Sequence, residues 1–382
     1  MNKDINAYRF FALLTNNEHA NGFKPCIAYS VDAINTHELS NTNELKKPII
    51  PLISYDLKNS FEKLESKNKK SHALNELVLI EPDHFEFTQE PDLDSFFQKK
   101  SEHFNSSIIM HAKVDKERYL KNVKALQKQI QDGNIYEINY CIEFYADQIE
   151  INPLEIFKKY NSISKSPMAA FIKLDDLYII CGSPERFLQK KGNKITSEPI
   201  KGTRRRSTDD AAMIKELEND AKERAENIMI VDLVRNDLSK IAQKGSVHVD
   251  ELCKVYTFKN VHQSISKISC TVEDKTTFQE ILNATFPMGS MTGAPKISAM
   301  QLIDEAENSR RQIYSGSIGY ILPNGDFDLN VVIRTIVYDE KKKYLSFMVG
   351  SAITAASDPE KEYEECLIKA KAMLTALNAE IK

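Results

Sequence analysis

The sequence predicts an α+β fold, in which strands and long helices are grouped along the chain. Strand patterns, which are short apolar runs bounded by turn residues, are concentrated in residues 136–195 and 316–349. Two long stretches, residues 209–238 and 358–377, have the charged and apolar spacing of helices. Because these groups do not form regular βαβ units, a doubly wound parallel sheet is not expected.

In the first half of the chain, the spacing of apolar residues becomes more regular after about residue 115. Residues up to about 107 carry short apolar runs in a polar background, which predict short strands and loops. Residues 119–131 predict an amphipathic helix that ends at Asp132 and Gly133. The strands that follow are predicted over residues 136–145, 168–172 and 177–181, and over a hairpin at 187–195 that turns at Gly192 and Asn193.

The second half contains the longest predicted elements. Residues 209–238 predict one continuous charged helix. Three strands are predicted over residues 316–322, 329–338 and 344–349. The last helix is predicted over residues 358–377, with Ser357 or Asp358 as its N-cap and Pro359 in its first turn.

Composition excludes several classes of function. The chain has 382 residues and a formal net charge of −4, which gives no reason to expect a nucleic-acid partner. No stretch has the length and apolar content of a membrane span, and the N-terminal residues lack the apolar region of a signal peptide. The six cysteines lie far apart, without metal-ligand spacing. We therefore expect reduced thiols and a cytoplasmic location, with no membrane partner.

The last predicted helix carries a candidate metal site. Glu362, Glu365 and Lys369 are spaced so that they share one helix face. Two carboxylates near a helix start suit Mg²⁺, which takes oxygen ligands. From spacing alone, however, acids that favour a helix N-terminus and a surface ion pair are the commoner interpretation.

A second candidate group lies around the predicted hairpin. Lys201 has small or apolar neighbours and follows a strand pattern, so we expect it at a strand end, desolvated and with a lowered pKa. Glu185 lies one hairpin earlier and could act as a general acid in the same pocket. A surface lysine and a salt-bridged glutamate are the commoner interpretation of these two residues taken singly.

Further residues are weak signals individually. Glu226 lies in the predicted helix at 209–238, and residues 289–296 form a loop that leads into a helix. Gly350, with the small residues after it, could let a carboxylate approach the backbone, and Arg334, on the middle of the three late strands, could bind one.

Together these segments resemble the chorismate-utilising enzymes, the group of anthranilate, aminodeoxychorismate, isochorismate and salicylate synthases. The resemblance spans residues 115–375 and rests on the stretches SPERF, EPIKGT, RAENIMIVDLVRNDL, GSMTGAPK, GYILPNGDFDLNVVIRT and SDPEKEYEECLIKA. It implies a single large domain with a β-sandwich core flanked by helices. Residues 1–107 would be a divergent N-terminal part of that domain, and residues 108–382 its chorismate-binding catalytic region.

The resemblance also implies roles for individual residues. Mg²⁺ would be held by three glutamates, Glu226, Glu362 and Glu365. The substrate would be bound by Tyr320, Arg334, Gly350, Ser351, Ala352 and Lys369. The catalytic residues would be Lys201, Glu185, His262 and Thr292, with Glu185 as the acid that assists loss of the C4 hydroxyl.

Lys201 decides the branch that the resemblance implies. The aminodeoxychorismate synthases have lysine in PIKGT, whereas anthranilate synthases typically have alanine there. We therefore expect amination of chorismate with Mg²⁺ and ammonia supplied by a glutamine amidotransferase subunit, through a covalent bond to Lys201. Glu137 departs from the glutamine that is usual in aminating relatives and from the lysine of isochorismate and salicylate synthases. Ser351 and Ala352 depart from the usual glycines.

Two other functions stay open at this point. The main alternative is the large subunit of an anthranilate synthase, which would use the same substrate and metal, and an isochorismate or salicylate synthase is less favoured because of Glu137. An alternative of another kind is a non-catalytic module that binds and activates a glutaminase.

Overall fold

The computed structural model describes residues 5–89, 107–259 and 261–382. Its helices within these ranges are α1 (Lys58–Glu62), α2 (Lys116–Gln131), α3 (Pro153–Ser164), α4 (Asp210–Asn219), α5 (Ala221–Ser239), α6 (Phe278–Thr285), α7 (Lys296–Ala306) and α8 (Pro359–Leu377). Its strands are β1 (Phe10–Thr15), β2 (Cys26–Ser30), β3 (Asn35–His37), β4 (Ile50–Ile53), β5 (Leu77–Glu81), β6 (His84–Phe87), β7 (Ile108–Ala112), β8 (Glu137–Ala146), β9 (Met168–Leu174), β10 (Leu177–Ser183), β11 (Arg186–Lys191), β12 (Lys194–Glu198), β13 (Ile200–Arg205), β14 (His248–Thr257), β15 (Val261–Thr271), β16 (Gly293–Ala294), β17 (Ser317–Ile321), β18 (Phe327–Asn330), β19 (Thr335–Asp339), β20 (Tyr344–Ile353) and β21 (Ala379–Ile381).

These strands form two large sheets. The first has the order β21-β7-β8-β20-β19-β10-β9-β1-β2-β6, with β16 paired to β8. The second has the order β13-β15-β12-β11-β18-β17-β4-β5-β3, with β14 paired to β15. Most pairs are antiparallel, and the pairing of β21 with β7 is parallel. The predicted α+β class with a β-sandwich is confirmed.

Alternation along the strands shows why the two sheets stack. Phe10, Ala12 and Leu14 of β1 pack with Ile50 and Leu52 of β4, and so fill the space between the sheets. The residues between them, such as Phe11 and Leu13, face the other way and pack among the residues of α2, α3 and α8. Because successive side chains of a strand point to opposite faces, a strand buried on both faces is apolar throughout. A third apolar cluster joins the outer face of the second sheet to α5 and α6.

Two predicted elements are divided in the structure. The helix expected over residues 209–238 is two helices, because Asp220 ends α4 and accepts a hydrogen bond from the backbone N–H of Glu223 as the N-cap of α5. The strand expected over residues 329–338 is also two, β18 and β19, because the chain leaves the second sheet and joins the first. Arg334 therefore lies between strands and not on one, with a φ of 51°.

The N-terminal strands contribute to both sheets. β1 pairs with β9, and β4 pairs with β17, so residues before the expected boundary at 107 complete the sandwich. The boundary itself adjoins residues 90–106, which lie outside the described ranges. All six cysteines are free and buried. Within the described ranges, none of the helices has the length and apolar character needed to cross a membrane.

Candidate active site

Lys201 lies at a bulge near the start of β13. The neighbouring residues Ile200 and Thr203 pair with Ile265 and Gln263 of β15, so Lys201 and Gly202 are looped out of the regular ladder. Gly202 has a φ of +85°, a conformation that side-chain-bearing residues rarely adopt. Such bulges change the direction of a side chain next to a site. The expected position of Lys201 at a strand end is thus wrong, because it is the second residue of β13.

The Lys201 ammonium forms an ion pair with Glu137. Its Nζ lies 3.0 Å from Oε1 of Glu137, the first residue of β8, and both side chains are almost fully buried. Burial lowers the pKa of Lys201, but the nearby carboxylates of Glu137 and Glu226 outweigh this effect and hold its pKa above the ordinary value. The expected lowering of this pKa is therefore wrong, because the carboxylates around the ammonium outweigh the effect of its burial.

Glu185 lies where the chain crosses from the first sheet to the second, between β10 and β11. It is buried, and its backbone N–H donates to the Ser183 hydroxyl while its carbonyl accepts from the N–H of Val331. Burial raises the pKa of Glu185 to about 7, although a hydrogen bond from Ser290 and the charge of Lys201 oppose the shift. Near neutral pH this carboxyl group can therefore retain a proton and donate it.

Arg334 lies at the second crossing, between β18 and β19. Its backbone carbonyl accepts hydrogen bonds from the N–H of Gly182 and from the Tyr160 hydroxyl, at 3.0 and 2.8 Å. Its guanidinium is close enough to Glu185 to oppose the rise in that residue's pKa. The two crossings thus bring a cation and an acid from distant parts of the sequence to one place.

Glu226 and Glu362 meet beside a lysine ammonium. Nζ of Lys222 lies 3.1 Å from Oε1 of Glu362 and 3.8 Å from Oε1 of Glu226. Both carboxylates are buried, and Glu226 Oε1 and Glu362 Oε2 lack hydrogen-bond partners. Burial raises the pKa of Glu226 to about 7, with Lys201 opposing and Glu137 adding to the shift. Buried carboxylates with unused oxygens require a cation, and Lys222 partly supplies one here.

Glu365 and Lys369 extend this group along α8. Nζ of Lys369 lies 2.7 Å from Oε1 of Glu365 and donates to the Gly350 carbonyl at 2.8 Å. Burial raises the pKa of Glu365, but the ammonium of Lys369 outweighs it, so the net shift is downward. In the described ranges, no three His, Cys, Asp or Glu side chains lie close enough to form a ready metal cage. Glu365 is directed to Lys369, and Lys222 lies between the other two.

Gly350, Ser351 and Ala352 lie on β20 opposite β8. A Cβ at Gly350 would come within 2.4 Å of the Cys141 sulfur, so only glycine fits there. Ser351 is fully buried, with its hydroxyl 3.0 Å from that of Tyr119. Ala352 pairs with Asn139 across the two strands. The small side chains expected from the sequence are therefore explained at least in part by close strand packing.

Thr292 lies in the loop before α7, and a buried ion pair holds that loop against β8. The Thr292 hydroxyl donates to backbone carbonyls of the loop, and its own carbonyl accepts from the N–H of Asn139 at 2.8 Å. Arg311, paired with Glu307, donates to the carbonyls of Met291 and Asn139 at 2.6 and 2.7 Å. This pair was not predicted from the sequence. An i,i+4 Glu/Arg spacing is its one signal, and exposed surface pairs share it.

His262 is held on both ring nitrogens. It is fully buried on β15, with Nε2 3.0 Å from the Asp210 carboxylate and Nδ1 2.9 Å from the Thr257 hydroxyl. On the paired strand it lies opposite Arg204, three residues beyond Lys201. These contacts tie β14 and β15 to α4, and the catalytic role of His262 stays a prediction.

Tyr320 is not brought to this group of residues. Its ring packs against Phe23, Phe85 and Phe87 in the cluster between the sheets. Among the contacts of the described residues, none joins it to Lys201 or to the glutamates. Tyr314 is nearer, because its hydroxyl lies 3.8 Å from the sulfur of Cys141, the residue opposite Gly350. The ring of Tyr320 thus packs between the sheets, and its expected binding role stays a prediction.

The fold and the site together define a class of protein. It is a helix-flanked β-sandwich protein with a largely buried lysine, a buried carboxyl group whose pKa is raised to about 7, and two buried carboxylates beside the Lys222 ammonium. The model of the chorismate binding enzyme family matches residues 14–375. The chain therefore belongs to the chorismate-binding enzyme family.

Individual relatives agree with this assignment. The aminodeoxychorismate synthase of Streptomyces griseus is 40% identical over 269 residues, which cover 69% of this chain and 37% of that protein. Component 1 of the aminodeoxychorismate synthase of Bacillus subtilis is 36% identical over 258 residues, covering 67% and 54%. The aligned region thus spans about a third to a half of these relatives. The anthranilate synthase component I of Streptococcus pneumoniae has a TM-score of 0.76 and 24% identity, and covers 95% of this chain and 89% of its own.

Proposed function

We propose that this chain converts chorismate and ammonia to 4-amino-4-deoxychorismate, the aminated precursor in para-aminobenzoate and folate synthesis. The observation that carries the proposal is the buried position of Lys201 in the same pocket as Glu185. A nucleophilic amine and a proton donor are the two groups that the reaction needs. The similarity to aminodeoxychorismate synthases supports the same branch.

The reaction divides into two displacements on the substrate ring. The neutral amine of Lys201 forms a bond to C2, the two conjugated ring double bonds shift, and the C4–O bond breaks. Glu185 donates the proton with which the C4 hydroxyl leaves as water. Ammonia then forms a bond to C4, the two double bonds shift back, and the C2–N bond to Lys201 breaks. The enolpyruvyl group is retained throughout, whereas ammonia attack at C2 followed by pyruvate loss would give anthranilate.

Mg²⁺ is the proposed cofactor, and the residues present fit it. Glu226, Glu362 and Glu365 would hold the ion, since two of them bury carboxylate oxygens that lack partners. When bound, Mg²⁺ would supply positive charge for a substrate carboxylate and for charge that develops in the reaction. Glu226 and Glu362 would exchange the Lys222 ammonium for it, and Glu365 would turn from Lys369.

Cationic and backbone groups of the same pocket are the proposed partners of the substrate carboxylates. Arg334 would contribute a bidentate guanidinium and Lys369 an ammonium beside the backbone of Gly350 to Ala352. Thr292 would act through the loop before α7. We propose that His262 acts through β15, because both of its ring nitrogens are engaged.

Ammonia is proposed to come from a separate glutamine amidotransferase subunit. The name of the Bacillus subtilis relative, component 1, agrees with such a partner. A glutamine-dependent rate that appears on adding that subunit is the expected result. A chain that used glutamine unaided would contradict it. We also propose a cytoplasmic location, in line with six free cysteines.

Product analysis tests the proposal directly. Purified protein with chorismate, Mg²⁺ and an ammonium salt is expected to form aminodeoxychorismate, identified by liquid chromatography and mass spectrometry. Anthranilate as product would refute the branch and keep the family. Lys201→Ala is expected to lose this product, and Lys194→Ala, which removes an exposed lysine of the preceding strand, is the matched control. Unchanged product from Lys201→Ala would refute the covalent mechanism.

A further inference from the structure

The side chain of Glu137 occupies an unusual position for a residue with only a structural role. It is 2% exposed, and its Oε1 accepts a hydrogen bond from Nζ of Lys201 at 3.0 Å. Its other oxygen, Oε2, is buried and has no hydrogen-bond partner. In the part of the chain that the structure describes, no other carboxylate forms an ion pair with this nitrogen. Glu137 is thus the immediate proton acceptor available to Lys201.

The pocket itself creates the need for such an acceptor. An amine attacks only without its proton, and the carboxylates around Lys201 favour its charged form. The Lys201 side chain is 11% exposed, and its ammonium already donates a hydrogen bond to Glu137. The shortest path for the proton is therefore to the carboxylate already in contact with Nζ.

We propose that Glu137 is a catalytic base that takes the proton from Lys201 and later returns it. This inference rests on the proposed function. The ammonium gives its proton to the Glu137 carboxylate, and the free amine bonds to C2 while Glu185 protonates the departing hydroxyl. After ammonia displaces the lysine, the Glu185 carboxylate takes a proton from the new ammonium group. Protonated Glu137 then restores the Lys201 ammonium, so the sum is chorismate plus ammonia giving aminodeoxychorismate plus water.

The backbone fixes Glu137 for this task. It begins β8, it is paired with Ala294 of β16, and the next residue, Ile138, is paired with Gly293. Arg311 ties the carbonyl of Asn139, two residues further, to the loop before α7. A carboxylate on a rigid strand keeps its distance to Nζ, which proton transfer requires. A glutamine at this position could accept a hydrogen bond from the ammonium but could not take its proton.

The first half-reaction isolates this role, because it needs no ammonia. Wild-type protein and the Glu137→Gln variant are mixed with chorismate and Mg²⁺, quenched, and analysed for the covalent Lys201 adduct by intact-protein mass spectrometry across a range of pH. At pH 7 the variant is expected to form the adduct about 10²–10⁴-fold more slowly, the usual contribution of a general base. The deficit is expected to shrink about tenfold per pH unit as bulk hydroxide replaces Glu137.

Glu143→Gln is the matched control. Glu143 lies on the same strand, is 3% exposed, and also has a carboxylate oxygen without a partner. It is expected to keep the wild-type rate and profile. A deficit in Glu137→Gln that is the same at every pH would indicate a structural role and overturn the proposal, as would a wild-type rate.

The wild-type protein provides a second test that does not depend on a folded variant. With an internal base, adduct formation is expected not to rise tenfold per pH unit between pH 6 and pH 7. A rise of that size would show that Lys201 loses its proton to solvent and would overturn the proposal. If the wild type forms neither adduct nor aminodeoxychorismate, the proposed function itself fails.

Discussion

Gly202→Ala tests whether the bulge in β13 sets the position of Lys201. A Cβ at Gly202 would lie 2.8 Å from Cδ1 of Leu217 on α4 and 3.3 Å from the side chain of Glu223 on α5. The residue also has a φ of +85°, so any side chain is strained there whatever the space. The substitution therefore adds a backbone penalty and a packing penalty next to Lys201.

The two penalties can be separated with Gly245→Ala. Gly245 has a φ of +78°, and a Cβ there would meet nothing within 4 Å. In both variants, placing alanine in the left-handed backbone region costs roughly 1–2 kcal/mol of folding free energy. Overpacking adds about 1–3 kcal/mol in Gly202→Ala only, so the free energies of unfolding of the two variants should differ by that amount.

Activity should separate the variants further than stability does. A displacement of Lys201 of about 1 Å is expected to lower kcat by about 10²-fold, whereas Gly245→Ala should keep the wild-type kcat. The measurements are chemical denaturation and the rate of aminodeoxychorismate formation with ammonium. Equal stability and equal rates in the two variants would refute the idea that the contact of Gly202 with α4 and α5 positions the Lys201 side chain.

Three other predictions follow from the site. Rates should fall as the pH rises through about 7, because Glu185 loses its proton. Because the pKa of Glu185 is about 7 in the folded protein and near 4.5 in the unfolded chain, the folded protein loses stability as the pH rises through this range. Glu185→Gln should therefore be inactive, yet more stable than wild type by about 3 kcal/mol at pH 8. A variant no more stable than wild type would contradict this. Arg311→Met should cost about 3–5 kcal/mol in denaturation, because Glu307 is left buried and unpaired, and a loss below 1 kcal/mol would contradict that account. In calorimetric titrations, Lys222→Met should bind Mg²⁺ about 2–5-fold more tightly than wild type, because no ammonium competes for the carboxylates. Lys240 is equally exposed and pairs with Asp237, so Lys240→Met should leave the Mg²⁺ affinity unchanged. Weaker Mg²⁺ binding by Lys222→Met would contradict the exchange of Lys222 for Mg²⁺.

Most of the fold could be predicted because periodicity reports burial. Strands β9 and β10 are apolar along most of their length and the helices α2 and α8 have clear caps, so their bounds agree with the prediction to within a few residues. Strands β14 and β15, over residues 248–257 and 261–271, and helices α3 and α6 were not predicted. Two other failures are breaks inside continuous patterns. In the sequence, Asp220 is one more polar residue of a helical pattern, whereas in the structure it is the N-cap of α5. Residues 331–333 keep the apolar character of a strand, although the chain passes there from one sheet to the other.

The site could be predicted only as far as its members are recognisable one by one. Glu226 of α5 and Glu362 of α8 lie beside the same Lys222 ammonium, whereas Glu365 pairs with Lys369, and the binding of Mg²⁺ by the three glutamates stays a prediction. The sign of the pKa shift at Lys201 could not be predicted, because it depends on Glu137, which is 64 residues away in sequence. The Glu307–Arg311 pair was missed for a related reason, since spacing cannot distinguish a buried pair from an exposed one.

The location of the site follows from the way the chain connects the two sheets. A strand inside a sandwich uses its backbone groups in the ladder, so polar side chains are most easily accommodated where a strand ends and the chain crosses over. Glu185 and Arg334 lie at two such crossings, and the bulge at Lys201 provides a third interruption next to them. The sandwich around them is rigid and apolar, so each charge is desolvated and its pKa responds strongly to its neighbours. A surface cluster of the same residues would be screened by water, and neither the proton held by Glu185 nor the pairing of Lys201 with Glu137 would persist there.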